Sequence, residues 1–267
     1  MSFHDLGDLG WSSFFTASFE SLNVNGLMPA RVVRAERERY LLMHERGISH
    51  AVLAGRMRHE AIEPMSLPVV GDWVAARITH GPTRGPDHES DLTASASADP
   101  MPDVARIEAL LPRRSLLARQ DPSGGGGARQ PLAANADLVL LAAGLDLDFN
   151  PRRLERGAAL AREAGAEPVV VLTKADLRPD CRRELSRVMS AVPGAHTFAL
   201  SAHTGEGLEA LRALLAPGVT AVLLGSSGAG KSTLINRLLG CERQRTAQVR
   251  EDDSRGRHAT THRELFP

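Results

Sequence analysis

The chain has 267 residues, with 32 basic and 32 acidic side chains and 42% hydrophobic content. That apolar share excludes a disordered chain, and the balanced charge excludes a globally basic nucleic-acid binder. No apolar run approaches the ~20 residues of a membrane-spanning helix, so no membrane association is expected. Of the 32 basic residues, 30 are arginine and only two, Lys174 and Lys231, are lysine. Cys181 and Cys241 lie far apart without metal-ligand neighbours, and Met1 to Glu20 lacks a basic start followed by an apolar stretch. A reducing, cytoplasmic setting is the expectation.

Residues 1–27 read as an N-terminal extension, whose Leu9-Gly10-Trp11, Phe14 and Phe15 are expected to brace the nucleotide-binding domain. From residue 28 the pattern is short and strand-like: Ala30–Arg34, Tyr40–Met43, Ser49–Leu53, Val69–Ala75 and Val104–Leu111. Short strands at regular spacing predict a small barrel over 28–115. Residues 80–102 are rich in Gly, Pro, Ser and Asp and read as an insertion. Leaving that insertion out, the barrel region carries 11 arginines against 8 acidic residues, which makes it mildly basic and a candidate RNA surface. Residues 116–133, with four glycines in Gly124–Gly127, read as a linker, since no strand leads in and no helix leads out.

After Ala134 strands alternate with helices. The expected order is a strand at Asp137–Ala143, a helix from Pro151 capped by Asn150, and a strand at Pro168–Leu172. A helix near Cys181–Met189, a strand at Thr197–Leu200, a helix at Leu208–Leu215, a strand at Val219–Leu224 and a helix at Lys231–Leu239 follow. This alternation predicts an α/β domain with a parallel sheet covered on both faces.

Three motifs carry chemistry. Gly225-Ser226-Ser227-Gly228-Ala229-Gly230-Lys231-Ser232, with Thr233 next on the helix, fits G-x-x-x-x-G-K-[ST] between a strand and a helix. Its glycines let successive amides face phosphate oxygens, Lys231 is placed for the β- and γ-phosphates, and the Ser232 hydroxyl suits Mg²⁺. Thr173-Lys174-Ala175-Asp176 closes a buried strand, at the sheet edge where open α/β folds bind ligands. The Asp176 carboxylate has two acceptor oxygens, enough for the ring N–H and amino group of guanine, a donor pair that adenine lacks. Ser201-Ala202-His203 follows the next strand and supplies backbone amides for the guanine carbonyl.

A phosphate loop, a T/N-K-x-D turn and an S-A-x turn together resemble the guanine-nucleotide elements of GTPases. Here the base motifs precede the phosphate loop, an order similar to that of the circularly permuted, ribosome small-subunit-dependent GTPase A family. Val70–Val74, Leu111–Ser115, Ala134–Asp137, Asp148–Asn150, Arg153–Arg156 and Gly256–Leu265 also resemble segments of that family. The resemblance implies an OB-fold barrel followed by a circularly permuted P-loop GTPase domain over 134–267. It implies GTP and GDP as ligands with Mg²⁺ held by Ser232 and by Thr260 or Thr261. It implies hydrolysis of GTP during late maturation of the 30S subunit, contact with 16S rRNA, and a cytoplasmic monomer.

The family's D-x-x-G strand and zinc-binding helical domain find no match before Pro267. Asp121–Gly124 and Asp253–Gly256 carry the spacing but follow no buried strand. An incomplete GTPase domain without zinc ligands is therefore expected, and the catalytic residue is unassigned. A non-catalytic nucleotide- and RNA-binding remnant and an ATP-using P-loop enzyme are the competing readings.

Overall fold

In the computed structural model, residues 5–36, 39–60, 64–79, 104–120, 129–146, 148–241 and 263–266 are described. The insertion at 80–102, the glycine run at 124–127 and both Thr260 and Thr261 lie outside them.

The first five strands are β1 (Met28–Glu36), β2 (Arg39–His44), β3 (Gly47–Leu53), β4 (Trp73–Thr79) and β5 (Val104–Leu110). They close into a barrel in the order β1-β2-β3-β5-β4, with β1 pairing β4. Every pairing is antiparallel except β3 with β5, which is parallel. This is the strand order of an OB fold. Alternate side chains point inward, so Ala30, Val32, Leu42, Val74, Ala76 and Ile107 are completely buried in one cluster. Closure removes the open edges that a sheet of five strands would otherwise expose.

The fourth strand begins later than its apolar pattern suggests. Val69 to Asp72 form a turn instead: the Asp72 amide donates to the Val69 carbonyl at 3.0 Å, and the Val69 amide donates to the Asp72 carboxylate at 2.7 Å. Gly71 takes the left-handed φ of +91° that the turn needs.

Helix α1 (Ser13–Glu20) brings Phe15 to within 5.8 Å of the Trp73 ring, and Trp11 lies 4.7 Å from the same ring, centroid to centroid. These aromatics therefore brace the barrel's own tryptophan, which corrects the role expected of Trp11 and Phe15, whereas Leu9 and Gly10 group with the nucleotide-binding unit as expected. Edge-on ring geometry at this separation is favourable in its own right. The chain divides into Met1–Leu6, Trp11–Pro112 and Glu264–Pro267 as one unit, and Gly7–Gly10 with Arg113–Arg263 as the other. In the first unit the Leu265 amide donates to Val33 at 2.8 Å, and Arg34 pairs with Glu264 at 2.6 Å, so the end of the chain is held on β1.

The second unit opens with a feature that the sequence reading missed. Residues expected as a linker form β6 (Leu116–Gln120) and β7 (Arg129–Ala134), an antiparallel pair. Leu117 is buried in the core of this unit, which gives β6 a reason to stay ordered beside a glycine run.

Next come β8 (Leu138–Gly144), α3 (Pro151–Glu163), β9 (Glu167–Thr173), α4 (Arg182–Ala191), β10 (His196–Ala199), α5 (Leu208–Leu214), β11 (Ala221–Gly225) and α6 (Lys231–Leu239). Helix α2 (Gly55–Glu60) belongs to the barrel region. Asn150 caps α3 by accepting from the Arg153 amide, and Pro151 occupies the first turn, as expected. The sheet is wholly parallel in the order β10-β9-β8-β11. Its central strands serve two cores by alternation. Val139, Leu141, Val170 and Leu172 face the α3–α4 layer, whereas Leu138, Leu140, Val169 and Val171 face the layer containing Leu208, Leu211 and Leu234. Each fully buried Val or Leu contributes about 1.5–3 kcal/mol of burial. The strand ends carrying the motifs are therefore rooted in the best-packed part of this unit.

Candidate functional site: a glycine-rich loop beside two strand-end turns

The phosphate loop leaves the end of β11 and enters α6. Gly225 lies against the neighbouring strand so closely that a Cβ there would sit 2.6 Å from the Ala142 carbonyl oxygen. Gly228 and Gly230 have φ of +82° and +76°, left-handed angles that side-chain-bearing residues rarely tolerate. The loop thus curls over the helix, and the Leu234 amide closes the first helical hydrogen bond onto Gly230 at 2.9 Å. The Ala229 amide donates to Ser226 at 3.3 Å, while the Lys231, Ser232 and Thr233 amides precede the intrahelical ladder and are placed to meet an anion.

The Lys231 ammonium curls back onto this loop, donating to the carbonyls of Gly225 at 3.0 Å and Ser226 at 2.5 Å. Burial pushes its pKa below the ordinary lysine range, against the opposing attraction of Asp148. A desolvated cation held mainly by neutral carbonyls is complementary to polyanionic phosphate, which is a test the loop passes on its own chemistry. Ser232 is half-buried and Thr233 is exposed at the head of α6. The Ser232 hydroxyl is a hard oxygen donor of the kind Mg²⁺ accepts, alongside water and phosphate oxygens. Among the described residues no cluster of three His, Cys, Asp or Glu side chains is set to hold a metal.

The two base motifs are tied to the loop and to each other. The buried Thr173 hydroxyl donates to the Ala229 carbonyl of the phosphate loop at 2.8 Å, bridging 56 positions of sequence. It thus braces the phosphate loop from the end of β9. The Ala175 amide donates to the Leu200 carbonyl at 3.1 Å, joining the T-K-A-D turn to the turn containing Ser201. Asp176 is exposed within the short 3₁₀ turn Ala175–Leu177. Ser201 is fully buried and structural: its hydroxyl accepts from the Thr204 amide at 3.1 Å, and its amide donates to Glu206 at 3.0 Å. That turn leaves Ala202 half-buried and His203 exposed.

Two acidic residues complete the arrangement, and neither was given a role from sequence. Lys174 adopts a left-handed φ of +61° and its ammonium donates to Asp146 at 2.5 Å. Asp148 accepts from the Ser226 hydroxyl and, at 2.8 Å, from Arg153, while its own amide donates to Asp146 at 3.0 Å. Burial would raise the Asp146 pKa, but the Lys174 hydrogen bond, the Asp148 amide and the Lys174 charge together hold it below the usual carboxylate value. The turn after β8 therefore hydrogen-bonds to both the guanine motif and the phosphate loop. Its sequence signals were the family resemblance of Asp148–Asn150 and a pair of carboxylates two apart at the carboxyl end of a buried strand.

A family model described as RsgA GTPase matches residues 110–267. The chain belongs to the RsgA GTPase family. A protein from Opitutus terrae named small ribosomal subunit biogenesis GTPase RsgA is 45% identical over 261 residues, covering 98% of this chain and 68% of that protein. One of the same name from Syntrophotalea carbinolica is 39% identical, again over 98% of this chain and 68% of the relative. Among solved structures, YjeQ from Thermotoga maritima superposes with a TM-score of 0.57 at 25% identity, over 83% of this chain and 68% of that one. YloQ, described as a circularly permuted GTPase, shares the fold at a TM-score of 0.50 and 17% identity, over 80% of this chain and 64% of that one. In this RsgA-family chain the permutation is visible directly, since the base-motif strands β9 and β10 precede the phosphate-loop strand β11 in a single sheet.

Proposed function

We propose that the chain binds GTP with Mg²⁺, hydrolyses it to GDP and phosphate, and acts in maturation of the small ribosomal subunit. The observation that carries this reading is the hydrogen bond from Thr173 to Ala229, which ties a guanine-type motif to a phosphate loop across separate strands. In this reading Asp176 accepts the ring N–H and amino group of guanine, and the Ala202 and His203 amides meet its carbonyl oxygen. Thr173, Lys174, Ala175 and Ser201 shape the pocket around them. Gly225–Gly230 and Thr233 wrap the phosphates, and Lys231 leaves the loop carbonyls to neutralise them.

Ser232, with Thr260 or Thr261, would hold the Mg²⁺, which would supply positive charge to the phosphates. Hydrolysis forms a bond from water oxygen to the γ-phosphorus and breaks the bond to the GDP oxygen, with charge spread over the transferred group. The partners in this reading are the 30S subunit and its 16S rRNA, met by a monomer in the cytoplasm through the barrel. Support for that setting comes from the relatives' names and from the lack, among the described residues, of a helix long and apolar enough to cross a membrane.

The test is phosphate release by the purified chain with GTP, Mg²⁺ and small subunits. Stimulated turnover is the expected result. GDP binding without stimulated turnover would instead favour a non-catalytic nucleotide-binding module. Asp176→Asn is expected to weaken GTP and favour xanthosine triphosphate, because an amide donates where the carboxylate accepts. Unchanged GTP affinity in that variant would overturn the assigned base pocket, and a preference for ATP would point to a different P-loop enzyme.

A further inference from the structure

A groove of about 700 Å³ lies between α3 and α4, on the face of the sheet opposite α6. Its walls include Phe149, Arg152, Glu155, Arg183, Ser186 and Arg187. Six other arginines of the same unit pair with carboxylates, Arg114 with Asp137 among them. Arg153 pairs with Asp148, Arg178 with Glu184, Arg182 with Asp180, Arg129 with Glu163 and Arg212 with Glu209. Among the described residues, Arg152, Arg183 and Arg187 have no carboxylate partner. Three exposed guanidiniums thus share one groove with a single acidic wall residue, Glu155.

One of the three is also oriented. The Arg187 guanidinium carbon sits 5.2 Å from the centre of the Phe149 ring, and Phe149 is half-buried against the α3–α4 core. The guanidinium thus lies over the ring of a half-buried aromatic while Arg187 itself is exposed. A planar cation supported in this way can stack on a second flat group while its edge N–H donors take phosphate oxygens. Carboxylates would satisfy the charge of this groove but not its stacking face. Nucleic-acid single strands satisfy both.

We propose that the groove between α3 and α4 binds single-stranded RNA, with Arg152 and Arg183 on successive phosphates and a base stacked on Arg187. The proposal rests on the small-subunit reading for the choice of RNA, and it places an RNA contact on the nucleotide-binding unit, separate from the barrel.

The experiment is fluorescence anisotropy of the full chain, loaded with GDP, against a labelled unstructured RNA of about twelve nucleotides. Combined Arg152→Ala, Arg183→Ala and Arg187→Ala is expected to weaken binding about tenfold. It is also expected to lower the salt dependence by about 1.4, since each of the two lost phosphate contacts on a single strand removes about 0.7 from the slope. Affinity within about twofold of the parent, with the same slope, would overturn the proposal. Arg187→Lys keeps the charge and loses the plane, so about threefold weaker binding at an unchanged slope is expected; parent-like affinity would overturn the stacking assignment. An oligoglutamate peptide of equal charge is expected not to displace the RNA, and efficient displacement would mark the groove as a site for acidic protein instead. GDP affinity of the triple variant, measured by calorimetry, reports whether the neighbouring site is intact. Failure of subunit-stimulated hydrolysis in the parent chain, with RNA binding and its loss in the variant as expected, would count against the small-subunit reading alone.

Discussion

The barrel and the parallel sheet solve the same problem in different ways. Each barrel strand has two neighbours, and the ring of pairings from β1 round to β4 leaves Ala30, Val32, Leu42, Val74 and Ile107 fully buried. In the sheet, β8 and β9 are enclosed, but β11 pairs only with β8 among the described residues, and Ala221 to Leu224 stay half-buried. The strand that carries the phosphate loop is thus the less enclosed one. Its position depends on neighbours: on Ala142, against which Gly225 lies, on Thr173 through Ala229, and on Asp148 through Ser226. A barrel built by closure is stable through its own core, whereas the loop is held by a few polar contacts from other strands. Local opening free energies follow such differences in packing.

Five measurements bear on this contrast. Lys231→Ala is expected to weaken guanine nucleotides more than a hundredfold by calorimetry, with helical circular dichroism unchanged; losing a desolvated charge partner costs about 2–5 kcal/mol. Ile107→Ala, which opens a cavity in the closed barrel, is expected to cost about 2–5 kcal/mol in denaturant unfolding. Val222→Ala on half-buried β11 is expected to cost less than about 1.5 kcal/mol, and an equal loss at the two sites would erase the contrast. Thr173→Val keeps the shape but leaves the Ala229 carbonyl unpaired, for a cost of about 1–3 kcal/mol. Nucleotide affinity should fall about tenfold with it and recover in Thr173→Ser.

The smallest effect concerns pH. The Asp146 pKa is held below its unfolded value, so its contribution to stability is complete above that value and is lost as pH falls through the folded one. Asp146→Asn should therefore lower stability slightly at neutral pH, where that contribution is complete, and converge with the parent below about pH 4, which flattens the acid limb. An acid limb identical to the parent's would show that Asp146 is not the group responsible.

Elements in the second unit were legible wherever a local signal repeated itself. The buried runs of β8 and β9 were apparent from continuous apolar residues, and α3 from its Asn150-Pro151 start. The phosphate loop was apparent because its glycines, lysine and hydroxyl must be contiguous to wrap phosphate. Signals failed where structure overrode pattern. Val69 to Asp72 looked like strand, but the Asp72 carboxylate captures the Val69 amide and turns the chain. The glycine run hid the hairpin of β6 and β7, whose stability comes from burying Leu117 in a core assembled from residues far along the chain.

What the sequence alone determined is therefore the order of the motifs: a T-K-A-D turn at 173 and an S-A-H turn at 201 ahead of the G-x-x-x-x-G-K-S loop at 225, with both lysines of the chain inside them. These are contiguous patterns, and backbone geometry limits which residues can carry them. What only the tertiary structure decided is how the motifs meet: Thr173 on Ala229, Lys174 on Asp146, Asp148 on Ser226, and Ala175 on Leu200. Those contacts join residues 25 to 78 positions apart or cross from one strand end to the next. They form because parallel strands align their carboxyl ends along one edge. No local pattern encodes that alignment; the two buried cores on either side of β8 and β9 impose it.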